Sequence, residues 1–150
     1  MLVFKLIGII LTVITCVMAG FLKSAAVKSR CKKLEDFCDG IDMLYRYIEQ
    51  GGCEVNSAIK NSFYKCDFLT FKSGLDFCQD LDLRQEKEEI NSFFMGLGTH
   101  TKKAECERIC KYGIKFKKYY CDAQKEMTQK CKIYQCFGVC VGLAIGILLI

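Results

Sequence analysis

The chain lacks proline and tryptophan and has a single histidine, His100, in 150 residues. Without a second histidine, metal sites built from histidine pairs are excluded, and a nucleophile–histidine pair would depend on His100 alone. No Gly-x-x-x-x-Gly-Lys-Ser/Thr, His-Glu-x-x-His or Gly-x-Ser-x-Gly motif occurs in the chain. The sequence therefore predicts a protein that is not an enzyme and needs no cofactor and no metal.

Charged residues are absent from two long stretches, 6–22 and 133–150. The residues between these stretches include 21 of the 22 Lys and Arg residues and all 17 Asp and Glu residues. Helices over the two ends reach about 33 Å and about 27 Å, close to the ~30 Å of a bilayer's hydrocarbon core. We therefore expect an N-terminal transmembrane anchor at 1–22, a polar domain at 23–132 and a C-terminal transmembrane segment at 133–150.

Basic residues flank both apolar stretches on the side of the polar domain. The net charge of residues 23–33 is +5, and that of residues 102–132 is +6. Because positive flanks stay in the cytosol, this pattern predicts that residues 23–132 are cytosolic. The alternative is a signal peptide cleaved after Ala19, which would make the protein an exported, membrane-tethered, cysteine-rich binding module.

Twelve cysteines stand in the chain, nine of them in the polar domain. An odd number cannot all pair, and no Cys-x-x-Cys motif occurs, so a redox or thiol enzyme is the last-ranked alternative. Four of the domain cysteines occupy apolar positions of helical patterns, where a thiol packs as a small hydrophobic group. We expect reduced core thiols at these positions: Cys38, Cys106, Cys110 and Cys131.

Apolar residues at steps of three and four predict helices throughout the domain, without strand alternation. The fold class we expect is all-α, a compact bundle of about five or six helices between an N-terminal and a C-terminal transmembrane helix. The predicted helices are 31–50, continuous with the first apolar stretch and ended by Gly51; 54–65; two short ones within 66–83, separated at Gly74; 85–97; and one from Thr101 to the chain end.

Small residues recur every four positions in both apolar stretches. Such a spacing lets another helix approach closely, although glycine is also frequent in membrane helices for no specific purpose. The residues we expect at membrane helix packing are Gly8, Thr12, Cys16, Gly20, Gly138, Gly142 and Gly146.

The middle of the domain is acidic, with a net charge of −7 over residues 34–100. Complementary charge can guide a protein partner to such a surface, whereas an acidic run can also be only a solvated face. The residues we expect in partner docking are Asp76, Asp80, Asp82, Glu86, Glu88 and Glu89.

The C-terminal half of the chain resembles the stage III sporulation protein AB family. The resemblance is carried by Phe94–Gly98, by the turn motif of Leu97, Gly98, Thr101 and Glu105, by Ile109, and by the glycine-containing end at 134–150. This sequence has Thr101 where the family usually has Asp and Glu105 where it usually has Gln. The order of elements also matches: an N-terminal anchor, a helical domain and a C-terminal anchor.

This resemblance implies a role. Members of the family are similar in their helical domain to type II secretion F platform proteins. They belong to the sporulation channel complex between mother cell and forespore, and they lie in the outer forespore membrane with the helical domain in the mother-cell cytosol. The implied partners are the complex's cytosolic ATPase, stage III sporulation protein AA, and other membrane subunits of the channel, with a possible homo-oligomer. No nucleic acid is expected.

Overall fold

A computed structural model describes residues 2–51, 54–70, 77–78, 80, 82–99 and 101–149, with side chains described from position 7 to 145 and at 147. The described part is formed by four α-helices and has no strand longer than a single bridge. The all-α class is confirmed, with four helices in these residues instead of the five or six expected. The helices are α1 (Leu2–Gln50), α2 (Val55–Ser62), α3 (Lys87–Met95) and α4 (Lys102–Leu149).

The two long helices α1 and α4 continue without a break from the polar domain into the apolar ends, as predicted. The lack of proline permits this continuity, because no residue removes an internal hydrogen bond. Gly51 ends α1 with a positive φ of 70°, and its N–H donates to the carbonyl of Tyr47 at 3.2 Å. Glycine adopts this left-handed conformation without steric cost, so the predicted helix end is confirmed.

The segment before α3 differs from the prediction. Described residues between 66 and 83 form turns and an antiparallel bridge between Leu69 and Cys78, where two short helices were expected. The Asn91 side chain of α3 stabilises this arrangement, since its Oδ1 accepts the N–H groups of Phe77 at 3.0 Å and Cys78 at 3.3 Å. These N–H groups are therefore bound outside any helix. Gly74, the predicted break, lies outside the described residues.

The chain divides into two compact units. The first, which we call the helix-pair unit, consists of Met1–Ser29 and Ala123–Ile150. The second, the bundle unit, consists of Arg30–Asp122. The apolar ends and the polar domain of the sequence thus belong largely to different units.

The core of the bundle unit is built around the α1 residue Phe37, which is fully buried. Its ring lies 4.6 Å from that of Phe116 on α4 and 5.2 Å from that of Phe63, measured between centroids. Phe93 and Phe94 of α3 each approach it at 6.0 Å. Large aromatic side chains in edge-to-face contact contribute much of the burial energy of a small domain. They position every helix of the unit around α1.

In the helix-pair unit, α1 exposes large apolar side chains along its N-terminal half. Leu11 is 64% exposed and Leu22 67%. α1 is the one helix in the described residues that is long and apolar enough to cross a membrane. The transmembrane prediction for 133–150 remains a prediction, because side chains at 146 and 148–150 lie outside the described ones.

Candidate functional site: interaction surfaces

The turn motif between α3 and α4 is held by the Glu105 side chain. Gly98 adopts a positive φ of 82°, which places its N–H towards α4, and this N–H donates to Glu105 Oε1 at 3.4 Å. The Thr101 carbonyl accepts the N–H of Glu105 at 2.9 Å, which begins the hydrogen bonding of α4. Leu97 closes α3 by donating its N–H to the carbonyl of Phe94 at 3.2 Å. The four motif residues therefore form one corner.

Glu105 is 4% exposed, so its carboxylate needs a buried counter-charge. Arg108, one turn further along α4, supplies it with an Nη1–Oε1 distance of 3.2 Å. The same guanidinium donates to the carbonyl of Phe93 at 2.7 Å and to that of Ser92 at 3.1 Å. Arg108 thus satisfies the open C-terminal end of α3 and neutralises Glu105, which makes it the central side chain of the corner.

The space at this corner requires glycine at position 96. A Cβ added to Gly96 would lie 2.5 Å from the Arg108 guanidinium. The sequence motif identified the glycines and Glu105 but not Arg108, because a lone arginine on a basic helix resembles many solvated ones. Its contact with carbonyls 15 and 16 residues earlier in the chain becomes visible only once α3 and α4 pack together.

The acidic residues before α3 are largely engaged within the bundle unit. Lys33 on α1 contacts Asp80 at 2.7 Å and Asp82 at 2.8 Å. Burial opposes the charged Lys33 ammonium, but its hydrogen bonds to the two carboxylates outweigh that effect and raise the pKa of Lys33. Arg30, also on α1, lies 2.6 Å from Glu86. These ion pairs fasten the loop before α3 onto α1.

The expected docking face is corrected at Glu86, which is 2% exposed and therefore unavailable to a partner. Asp80 and Asp82 are half-buried and paired with Lys33, and Glu89 pairs with Lys115 at 2.6 Å. Glu88 is exposed. Asp76 lies outside the described residues. The acidic run is therefore mainly an internal clamp with an exposed α3 edge, a role hidden in the sequence because the cations stand about 50 positions earlier.

The small residues of the helix-pair unit bring α1 and α4 into close contact near their middle. A Cβ on Gly20 would lie 2.7 Å from the carbonyl oxygen of Tyr134, and one on Gly138 would lie 3.0 Å from that of Cys16. Gly142 is also at the contact, since a Cβ added there would lie 3.4 Å from the carbonyl oxygen of Val13. Only residues without a side chain permit such a backbone approach.

Three of the predicted packing residues fall elsewhere. A Cβ on Gly8 would meet no atom within 4 Å. The Thr12 hydroxyl donates to the carbonyl of Gly8 at 2.7 Å, within its own helix. Gly146 lies within α4, but its surroundings are outside the described part. The close contact therefore uses the part of the α1 stripe around Cys16 and Gly20.

Replacing Gly20 by alanine should weaken the α1–α4 contact of the helix-pair unit. The new methyl group would overlap a backbone carbonyl, which cannot move as a side-chain tip can, and we expect a loss of about 1–2 kcal/mol. The measurement is urea unfolding of the full-length chain in detergent micelles, followed by far-UV circular dichroism. Gly8→Ala is the matched control, because it adds the same methyl group to the same helix in open space. Equal losses in both variants would contradict this contact.

The cysteines differ in exposure. Cys38, Cys66 and Cys78 are buried in the bundle unit, whereas Cys110 and Cys121 are exposed, and no disulfide joins the described cysteines. Burial, together with the charges of nearby aspartates, raises the pKa of Cys38 and that of Cys66 to about 12. Two of the four predicted core thiols, Cys38 and Cys131, are buried, and Cys106 is half-buried. Cys110 faces solvent because α4 presents it one position beyond the buried Ile109.

In the described part of the chain, no three His, Cys, Asp or Glu side chains are placed to hold a metal ion. His100 lies outside the described residues.

Comparison with known proteins gives one family. The family model of stage III sporulation protein AB matches residues 5–71 and 70–150, almost the whole chain. No curated protein and no solved structure matches the chain. The matched region includes the α3–α4 corner and both apolar ends, which are the features that carried the resemblance in the sequence. The chain belongs to the stage III sporulation protein AB family and has a role in sporulation.

Proposed function

We propose that this protein is a non-enzymatic membrane platform subunit of the sporulation channel complex between mother cell and forespore. Its bundle unit would dock the cytosolic ATPase of that complex, stage III sporulation protein AA. The observation that carries the proposal is the family match over a chain whose described part joins a helical bundle to an apolar, membrane-length helix. A platform subunit needs an anchor and rigid docking surfaces, and it needs no catalytic residues.

The charge pattern supports a cytosolic bundle unit. Residues 23–33 carry +5 directly after the apolar stretch of α1, and residues 102–132 carry +6 before the last one. Basic residues next to a membrane helix remain on the cytosolic side and meet the anionic lipids of that leaflet. In a mother cell this orientation corresponds to the outer forespore membrane, with the bundle unit in the mother-cell cytosol.

The exposed apolar residues support assembly with other membrane subunits. α1 uses one face for α4 and leaves Leu11, Ile14 and Met18 more than half exposed. On α4, Phe137 is 68% exposed near the glycines of the contact. In a bilayer these side chains face lipid or the helices of partner subunits, so the helix pair provides surfaces for further subunits or for a second copy of the chain.

Thiol labelling in intact sporulating cells tests the orientation. A membrane-impermeant maleimide should leave the full-length chain unlabelled until the cells are lysed, and lysis should then label Cys110 and Cys121. Cys38 and Cys66 should stay unlabelled near neutral pH, because maleimide reacts with thiolates and their pKa values of about 12 keep both thiols protonated.

The control is a variant in which Cys110 and Cys121 are replaced by serine, which should lose most labelling after lysis. Labelling of the unmodified chain before lysis would mean that the bundle unit faces outward. Thiols that react only after a reducing agent is added would identify the exported, disulfide-containing alternative. Either result would remove the cytosolic docking function.

A further inference from the structure

A polar cleft of 240 Å³ lies between α1 and α2 in the bundle unit, away from the ion pairs before α3. Three aspartates one turn apart on α1 line it, together with Ser62 at the end of α2. The spacing of Asp36, Asp39 and Asp42 places their carboxylates along one side of the helix. The cleft is therefore an acidic groove with a buried hydroxyl at its wall.

Ser62 is the unusual member of this lining. Its residue is 3% exposed, and its Oγ has no hydrogen-bond partner among the described residues. A buried hydroxyl left without a partner is costly, and almost all such groups in folded proteins are satisfied. Since Ser62 lines the cleft, a polar group entering the cleft would supply the missing bond.

Two of the three carboxylates are also available. Asp42 is engaged by Lys117 of α4, at 3.1 Å. Asp36 and Asp39, by contrast, form no ion pair with any residue the structure describes, although other acidic residues of this unit do. The end of the cleft next to Asp36 and Asp39 therefore has negative charge that the protein itself does not balance.

The cations at the cleft do not neutralise this end. Arg46 stands seven residues after Asp39, about 10 Å further along α1. Lys65 directs its ammonium over the ring of Tyr64, 5.7 Å from the centroid. The field near Ser62 is acidic: after burial itself, the charges of Asp36, Asp67 and Asp39 raise the pKa of Cys66.

We propose that this cleft binds the guanidinium group of an arginine side chain on a protein partner, with Asp36 and Asp39 as the carboxylates and Ser62 Oγ as a further acceptor. Arginine fits because its planar group has five N–H donors, which can serve several acceptors at once. The inference rests on the proposed function, since the partner is the ATPase that the bundle unit would dock.

Retention of the purified ATPase by the full-length chain in detergent micelles tests the cleft. Asp36→Asn with Asp39→Asn should lower retention about tenfold, as expected for loss of charge-assisted hydrogen bonds. Glu88→Gln with Glu89→Gln, on α3, is the matched control and should retain the ATPase. Loss in the α3 variant alone, or equal retention in all variants, would overturn the cleft as the docking site.

Ser62→Ala separates a binding role from a structural one. Removing an unpaired buried hydroxyl should leave the domain at least as stable, while retention of the ATPase should fall several-fold. A variant that retains the ATPase fully would contradict the participation of Ser62.

A titration with a defined probe tests the cleft even where the unmodified chain retains no ATPase, a result that would reject the proposed docking function. N-acetylarginine amide, added to the isotope-labelled full-length chain in micelles, should shift the NMR signals of Asp36, Asp39 and Ser62. N-acetylcitrulline amide has nearly the same shape without the charge and should not shift them. Equal shifts with both probes, or none with arginine, would overturn the inference.

Discussion

Replacing Arg108 by alanine should lower the free energy of unfolding by about 3 kcal/mol, since removing one partner of a buried ion pair leaves the other charge uncompensated. The remaining Glu105 carboxylate is almost fully buried, and its second oxygen, Oε2, already lacks a hydrogen-bond partner in the described part of the chain. The carbonyls of Ser92 and Phe93 would lose their donor at the same time. The measurement is urea unfolding of the full-length chain in micelles, monitored by circular dichroism.

A second variant identifies the cause of this loss. Glu105→Gln in the Arg108→Ala background removes the uncompensated charge and keeps an acceptor for the N–H of Gly98, so part of the stability should return. Lys111→Ala is the control for removing a cation from α4, because Lys111 is exposed. Equal losses from Arg108→Ala and Lys111→Ala would show that the corner does not depend on the ion pair.

Replacing Gly40 by alanine should lower the free energy of unfolding by about 3 kcal/mol, at the upper end for an added methyl group in a packed core. A Cβ at this position would lie less than 3.0 Å from the ring of Phe63. That ring is 2% exposed and is held by Phe37 at 5.2 Å and Phe94 at 5.1 Å, so it has no free space to move into. The same unfolding measurement applies.

Two further variants make this result specific. Gly113→Ala adds a methyl group to another buried glycine of the bundle unit, where Cγ2 of Ile41 would be 3.4 Å away, so a smaller loss is expected. Phe63→Leu in the Gly40→Ala background shortens the side chain that causes the overlap and should recover part of the stability. A Gly40→Ala chain as stable as the unmodified protein would show that α1 and Phe63 do not pack this closely.

The continuity of both long helices could be predicted from the sequence because it depends on local properties. Proline is absent, apolar residues recur at helical spacing, and Gly51 has the left-handed conformation that ends α1. The family could also be identified, since the motif from Leu97 to Glu105 is contiguous. The prediction for 66–83 was wrong in the described part of that segment, because its N–H groups bond to Asn91, a partner from another element.

The sequence by itself determined the helical class, the apolar ends, the charge of each segment and the family. Only the tertiary structure decided which charges are free to meet a partner. Glu86 and Glu88 look alike in the sequence, yet packing buries Glu86 against Arg30 and leaves Glu88 exposed. Likewise, Asp36 and Ser62 stand 26 positions apart and become one cleft only where α2 packs on α1. Local spacing controls helix formation, whereas burial and pairing depend on contacts between residues distant in the chain.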